Sequence, residues 1–271
     1  MLTKSKIRNP FPMIGKVFKY EFMSGNKTLA PIYGIMMILA LLFRIFVSDS
    51  LENLTSDAVK ITLGILLFIT CFAAFIVTVV FIEKRFKKGM LEDEAYLNLS
   101  LPVTMTEHIV GRLLTFSVWF LMYVVASFIS TFIIISGEIF KEFKFAEIKD
   151  FLQEFYEEFG VHFGNFMGTG IVYGLSIMLL IIMFIMVVNA ITHLVKKNRR
   201  VVEIIVVIVL ITVFVNIIKC VIGVSDIFEN GPETAHFFYI SIWKLVILNF
   251  VTVVVDVIAT QAILKFSLNL E

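Results

Sequence analysis

The stretch ITLGILLFITCFAAFIVTVVF (61–81) decides the fold. It is twenty-one residues without a charge, which as a helix is long enough to cross a ~30 Å hydrocarbon layer. Its apolar residues run on without alternation, so it is not a barrel strand with one wet face. In lipid every backbone N–H and C=O needs a partner, and an uninterrupted apolar run meets that demand only as a helix. Working outward, a second such wall, LLTFSVWFLMYVVASFISTFIII (113–135), follows after a polar island, RFKKGMLEDEAYLNLSLPVTMTEHIVGR (85–112).

The whole chain of 271 residues is 59% hydrophobic and 17% charged, with 29 Phe and 5 Pro; a soluble domain averages about 45–50% apolar and about 25% charged residues. The expected class is therefore all-α: a polytopic membrane protein with six transmembrane helices over 28–47, 61–81, 110–135, 168–195, 201–224 and 240–266. No linker or internal repeat divides it, so 1–271 reads as a single transmembrane domain. Pro31 is placed in the first turn of the first span, where its missing N–H does least harm.

Lys and Arg set the expected orientation. Segments 1–27, 82–109 and 196–200 carry fourteen of them, against Lys60, Lys141, Lys144 and Lys149 in 48–60, 136–167 and 225–239. This bias predicts both termini on the cytoplasmic side of a cell membrane, with KKNRR (196–200) as a cytoplasmic turn. Arg44, Lys219 and Lys244 then lie near the outer ends of spans, reading as side chains that snorkel to headgroups or, alternatively, meet an acidic or lipidic substrate.

Two segments are amphipathic but too polar to cross. Phe11, Ile14, Val17, Phe18 and Phe22 recur at helical spacing opposite Lys16, Lys19 and Tyr20, which predicts an interfacial helix that SGNK (24–27) breaks before the first span. Residues 138–159 carry seven acids and three bases around Ile148, Phe151, Leu152, Phe155 and Phe159; this predicts an extracytoplasmic amphipathic helix resting on the bundle or the outer leaflet, either as a packed lid or as a cap that meets substrate.

Several chemistries find no support. A net charge of +1 leaves no basic excess for nucleic acid. Cys71 and Cys220 have no CxxC partner, and the basic N-terminus lacks the apolar core of a signal peptide. His108, His162, His193 and His236 show no metal-ligand spacing, so no metal site is expected. Glu157, Glu158 and His162 faintly suggest an embedded hydrolase, but they sit on the amphipathic segment rather than in a span. No GxxxxGK[ST] cradle for a nucleotide is present, so the chain is expected to be no enzyme and to need any ATP hydrolysis from another polypeptide.

Asp256 is the one carboxylate near the middle of a span, where a charge costs about 2.5–3.5 kcal/mol. It is expected to face the bundle interior, be protonated or have a partner. Asn249, Thr252 and Thr260 extend its polar stripe, and Asn189, His193 and Asn216 are candidate partners on other spans. These residues are candidates for a substrate pathway, with plain interhelical hydrogen bonding as the alternative.

Within the island, MLEDEAYLNLSLPV (90–103) reads as a short helix ending before Pro102, with Glu92, Asp93 and Glu94 at its start favoured by the helix dipole. Met90, Leu91, Ala95, Tyr96, Leu97 and Leu99 supply apolar surface. Thr104 and Glu107 form a capping box that opens the third span. An apolar, acidic protrusion on an inner face suits a protein partner better than anionic headgroups.

These residues carry a resemblance. KVFKYEF (16–22), KTLAPIYGIMMILALLFRIF (27–46) and above all Arg85, Phe86, Asp93, Glu94, Tyr96, Leu101, Pro102, Val103 and Arg112 are similar to the small six-span permease subunits of ABC-2 type bacterial ATP-binding-cassette transporters, the kind that exports peptides or gives immunity to them. The resemblance covers about the first 120 residues; the rest agrees in span count and topology. It implies a permease without a cofactor of its own, paired with a second permease subunit as a homodimer or related heterodimer, above two ATPase subunits that bind ATP and Mg. The substrate implied is an amphipathic or antimicrobial-type peptide. Met90, Leu91, Glu92, Asp93, Glu94, Tyr96, Leu97, Leu101 and Pro102 would form the cytoplasmic coupling helix that fits the ATPase, and 11–22 would be an interfacial elbow. Export of a lipid or drug, or a non-transporting sensory or scaffold subunit, are the alternatives.

Overall fold

The computed structural model describes residues 11–47, 57–92, 94–95, 98, 103–142, 145–195, 197–222 and 234–267. Among them are seven helices: α1 (Phe11–Val47), α2 (Asp57–Met90), α3 (Met105–Glu142), α4 (Phe145–Phe159), α5 (Phe163–His193), α6 (Arg199–Ile222) and α7 (Thr234–Ser267). All but α4 are long and apolar enough to cross a membrane, within 13–46, 61–90, 105–134, 163–193, 199–221 and 239–266. The chain is a polytopic helical membrane protein. It forms two compact units, Met1–Ile139 and Phe140–Glu271.

In the first unit α1 runs antiparallel to α2 and in the same direction as α3. The partners show this directly. Along α1, Glu21 meets Arg85 and Tyr33 meets Thr78, so the α2 partners descend in number. Glu21 also meets Arg112 and Met36 meets Ser127, so the α3 partners ascend. At the centre the Tyr33 hydroxyl lies 2.8 Å from Thr78 Oγ1 and 3.3 Å from the Trp119 carbonyl, tying three helices with one polar group. Leu29, Met36, Ala74, Trp119 and Ala126 close around it.

Two expectations are overturned in this unit. SGNK (24–27) does not break the chain, because α1 is continuous from residue 11 to 47. Gly25 instead makes room for a neighbour. A Cβ on it would stand 2.5 Å from Trp119 Nε1, so its bare backbone lets the indole pack against α1. Phe22 stacks on the same indole at 4.8 Å. The amphipathic start is thus the beginning of the first crossing helix rather than a separate interfacial one, and its Val17 side chain meets Gly111 of α3. Small residues where helices approach closely are the usual means of packing without a hydrophobic drive between them. Pro31 accordingly lies inside α1, not in its first turn, and removes one hydrogen bond from the helix interior.

α1, α2 and α3 have 37, 34 and 38 residues. At 1.5 Å per residue each reaches over ~50 Å, well beyond a ~30 Å hydrocarbon layer. The start of α1, the end of α2 and the start of α3 therefore project together as a polar three-helix end. α3 opens on the expected capping box: the Thr104 N–H donates to Glu107 Oε2 at 2.7 Å, and the Glu107 N–H to Thr104 Oγ1 at 3.3 Å. The island is shorter than its sequence suggested, since α2 continues through Arg85 to Met90.

In the second unit α5 and α7 lie side by side in the same direction. Thr169 and Tyr239 meet near their starts, and Ser176 and Asn249 deeper in. α5 and α6 are joined by the expected KKNRR turn, in which Asn198 adopts φ +58° and its carbonyl caps the N–H groups of Val201 and Val202. Asparagine tolerates this left-handed backbone better than most residues. α4 begins at Phe145, later than the expected 138, because 138–142 belong to α3. Its Phe151 and Phe155 rings pack on Phe163 and Phe166 of α5, with Phe155–Phe163 centroids 5.3 Å apart, and Gly160 at φ +65° makes the turn between the helices. The side chains of Ile148 and Phe159 lie outside the described ones.

Candidate functional site: the polar end of the first unit

The site is built around Glu21. It falls on the apolar stripe of α1, between Val17, Phe18 and Phe22, and is almost fully buried. Such a carboxylate needs charged partners to offset its lost hydration. Two arginines supply them. Arg112 of α3, 1% exposed, donates from Nε to Glu21 Oε1 at 2.9 Å, and Arg85 of α2 donates from Nε to Oε2 at 2.6 Å. One carboxylate thereby joins three helices.

The chain after α2 is folded back onto this pair. The Leu91 and Glu92 N–H groups both donate to the Lys87 carbonyl, at 2.9 and 3.0 Å, Ala95 N–H to the Glu92 carbonyl, and Asn98 N–H to the Glu94 carbonyl. Glu94 accepts from Arg85 Nη1 at 3.2 Å and pairs with Lys88 Nζ at 3.1 Å. Its carboxyl is held below the usual range, first by the Lys88 hydrogen bond, with burial opposing and the Arg85, Lys88 and Arg112 charges assisting. The Gly89 carbonyl accepts from Asn98 Nδ2 at 2.9 Å and from Arg112 Nη2 at 3.2 Å. Gly89 has no Cβ because the Arg112 guanidinium occupies that space. The loop, α1 and α3 are thus wired through a continuous set of charge-assisted bonds, roughly twice as strong as neutral ones.

The coupling residues expected from the sequence divide. Met90 and Leu91 are buried in the unit's own interior, not offered outward as expected, because the chain turns back across α2 at this point. Glu92 is exposed, and Glu94 is half-buried and engaged. Asp93, Tyr96, Leu97, Leu101 and Pro102 lie outside the described residues. Of the α1 positions, Phe18 and Phe22 stack at 5.8 Å and lead to Trp119, Ile14 is half-buried, and the Phe11 side chain lies outside the described ones. Glu21 was missed as a site residue. Its signal was a lone acid interrupting an apolar helical stripe.

The pathway candidates of the second unit do not converge on one another. Asn249 is buried and donates from Nδ2 to Ser176 Oγ at 2.9 Å, a partner the sequence did not single out. Asn189, Asn216 and Thr252 each return a hydrogen bond to the carbonyl four residues back, on Ile185, Thr212 and Leu248. Asn189 is buried with its Oδ1 unsatisfied, whereas Asn216 is exposed on α6. Asp256 is half-buried. Among the described residues no group of His, Cys, Asp and Glu is placed to hold a metal ion. No family model, curated protein or solved structure matches the chain.

Proposed function

We propose that this chain is the permease subunit of an ATP-driven ABC exporter in a bacterial cell membrane, with both termini cytoplasmic. Two such subunits, identical or related, would line a pathway, and two separate ATPase subunits would bind ATP and Mg beneath them. The observation that carries the reading is the Glu94–Arg85–Glu21–Arg112 network. A loop that must pass a push from a partner to a bundle has to be tied into the packing of that bundle. Here Glu94 holds the loop to Arg85 and Lys88 of α2, and Arg85 is joined through Glu21 of α1 to Arg112 of α3. Differential binding of a partner to two positions of the loop could then shift the bundle between two states, which is what any such coupling requires. The exposed Glu92 offers that partner a negative contact. An amphipathic or antimicrobial-type peptide is the proposed cargo, by the family resemblance.

The experiment is affinity purification of the chain from its native membrane with a search of the co-purifying proteins for a P-loop ATPase, followed by reconstitution of the pair in vesicles. The reading expects co-purification and ATP-dependent movement of an amphipathic peptide, with Glu92→Lys reducing both ATPase stimulation and transport. Normal stimulation in that variant, or failure to bind any ATPase, overturns it.

A further inference from the structure

Between the starts of α1 and α3 and the end of α2 lies a cavity of about 380 Å³. We propose that it holds a phosphate group, supplied by the headgroup of an anionic phospholipid. The inference rests on the membrane fold and stands apart from export.

Charge comes first. Lys16, Arg85 and Arg112 line the cavity against one acid, Glu21, and that acid is already shared between both guanidinium groups. Extending the tally to Lys88 and Glu94 leaves the same excess of two positive charges. A compact anion is the ligand such a surplus recognises, and arginine and lysine together are the usual phosphate pair.

An unsatisfied donor comes second. Arg112 Nη1 is buried and makes no hydrogen bond among the described residues, although the other nitrogens of the same guanidinium are engaged. His108, 2% exposed, stands on the same wall, but a neutral imidazole has a single N–H and the Asn98 backbone is its neighbour, so it adds no unmet donor. Leaving a buried donor unmade costs about 1–3 kcal/mol, so Arg112 Nη1 on this wall marks a place where an acceptor is expected.

Position favours a lipid as the source. Met13, Val17 and Val103 give the cavity apolar walls, and it opens where the three helices pass from apolar to charged sequence, the depth at which a bilayer keeps its phosphates. A tethered headgroup meets both the charge and the grease.

The test uses the full chain in phosphatidylcholine nanodiscs, with and without phosphatidic acid, and in detergent with inorganic phosphate. The expected result is a rise in Tm with phosphatidic acid. Lys16→Gln, a change at an exposed rim position, should melt like the parent in phosphatidylcholine and need about tenfold more phosphatidic acid for the same rise, the loss of one charge-assisted contact. An equal rise with inorganic phosphate alone would uphold the phosphate site and overturn the lipid source. A rise of the same size from a fatty-acid carboxylate, or an unaltered response in Lys16→Gln, overturns the proposal.

Discussion

Arg112 Nε donates to Glu21 Oε1 across 2.9 Å, joining residues 91 apart in the chain, both almost wholly removed from solvent. Removing one partner of such a pair leaves the other charge buried and alone, at about 3–5 kcal/mol. Glu21→Gln leaves Arg112 without its carboxylate, while Arg85 keeps Glu94, and should lower Tm in detergent by the corresponding amount, followed through the fluorescence of the buried Trp119. Replacing both Glu21 and Arg112 by leucine should cost less than the sum of Glu21→Leu and Arg112→Leu, since each single change already breaks the bond they share. A double variant as damaged as the sum of the singles would show the two to act separately.

Gly25 is a packing residue, and its substitution tests the continuity of α1. Alanine raises helix propensity by about 1 kcal/mol, which would stabilise an exposed helix. Here the added methyl meets the indole of Trp119, and overpacking costs about 1–3 kcal/mol. Gly25→Ala should therefore lower Tm, and Gly25→Leu more so. Gly34→Ala, on the same helix with open space at its Cβ position, serves as control and should be neutral or stabilising.

How much of this was legible follows from the kind of signal involved. The six spans were readable because hydrocarbon imposes one length and one composition on every crossing element, and the α5–α6 turn because its charges cluster between two apolar runs. The capping box at Thr104 was readable for a similar reason, being complete within four residues. The continuity of α1 was not, since Gly25 looks like a breaker until Trp119, distant in sequence, is seen to fill its gap. Nor was the core of the site. Arg85, Glu94 and Arg112 were singled out, but what unites them is Glu21, and a pairing across 91 residues leaves no local spacing to find. Ser176 escaped for the same reason, as one serine in an apolar helix whose partner Asn249 belongs to another span.

Glu94 gives the polar end a pH dependence of definite sign. Its folded carboxyl sits below the ordinary value of 4.5, chiefly through the Lys88 hydrogen bond. A depressed acid stabilises the fold fully above its unfolded value and loses that contribution as pH falls through the folded one. Glu94→Gln should accordingly lower Tm near neutral pH, and the gap from the parent should narrow below pH 4.5 and close in stronger acid. A gap that widened on acidification would mean that the folded state favours the protonated carboxyl, with burial outweighing the Lys88 and Arg85 contacts.

Asp256 and Asn249 occupy the same helix, and under the proposed export function their variants would separate transport from scaffolding in the second unit. Asn249 is buried against Ser176, and interhelical bonds of this type within membranes contribute about 0.6 kcal/mol on average, up to about 1.7. Ser176→Ala should thus lower Tm slightly and leave vesicle transport close to that of the parent. Asp256 is half-buried in α7, and the described residues include no hydrogen bond or ion pair to its carboxyl. A carboxylate kept at that depth without structural bonding is costly, which fits a group whose ionisation or contact with cargo is used during turnover. Asp256→Asn should therefore leave Tm and assembly unchanged or slightly improved, while lowering ATP-dependent transport at least tenfold, a barrier increase of about 1.4 kcal/mol. Full transport in that variant would assign Asp256 to lipid-facing or packing duty, and the pathway would have to be sought on other helices.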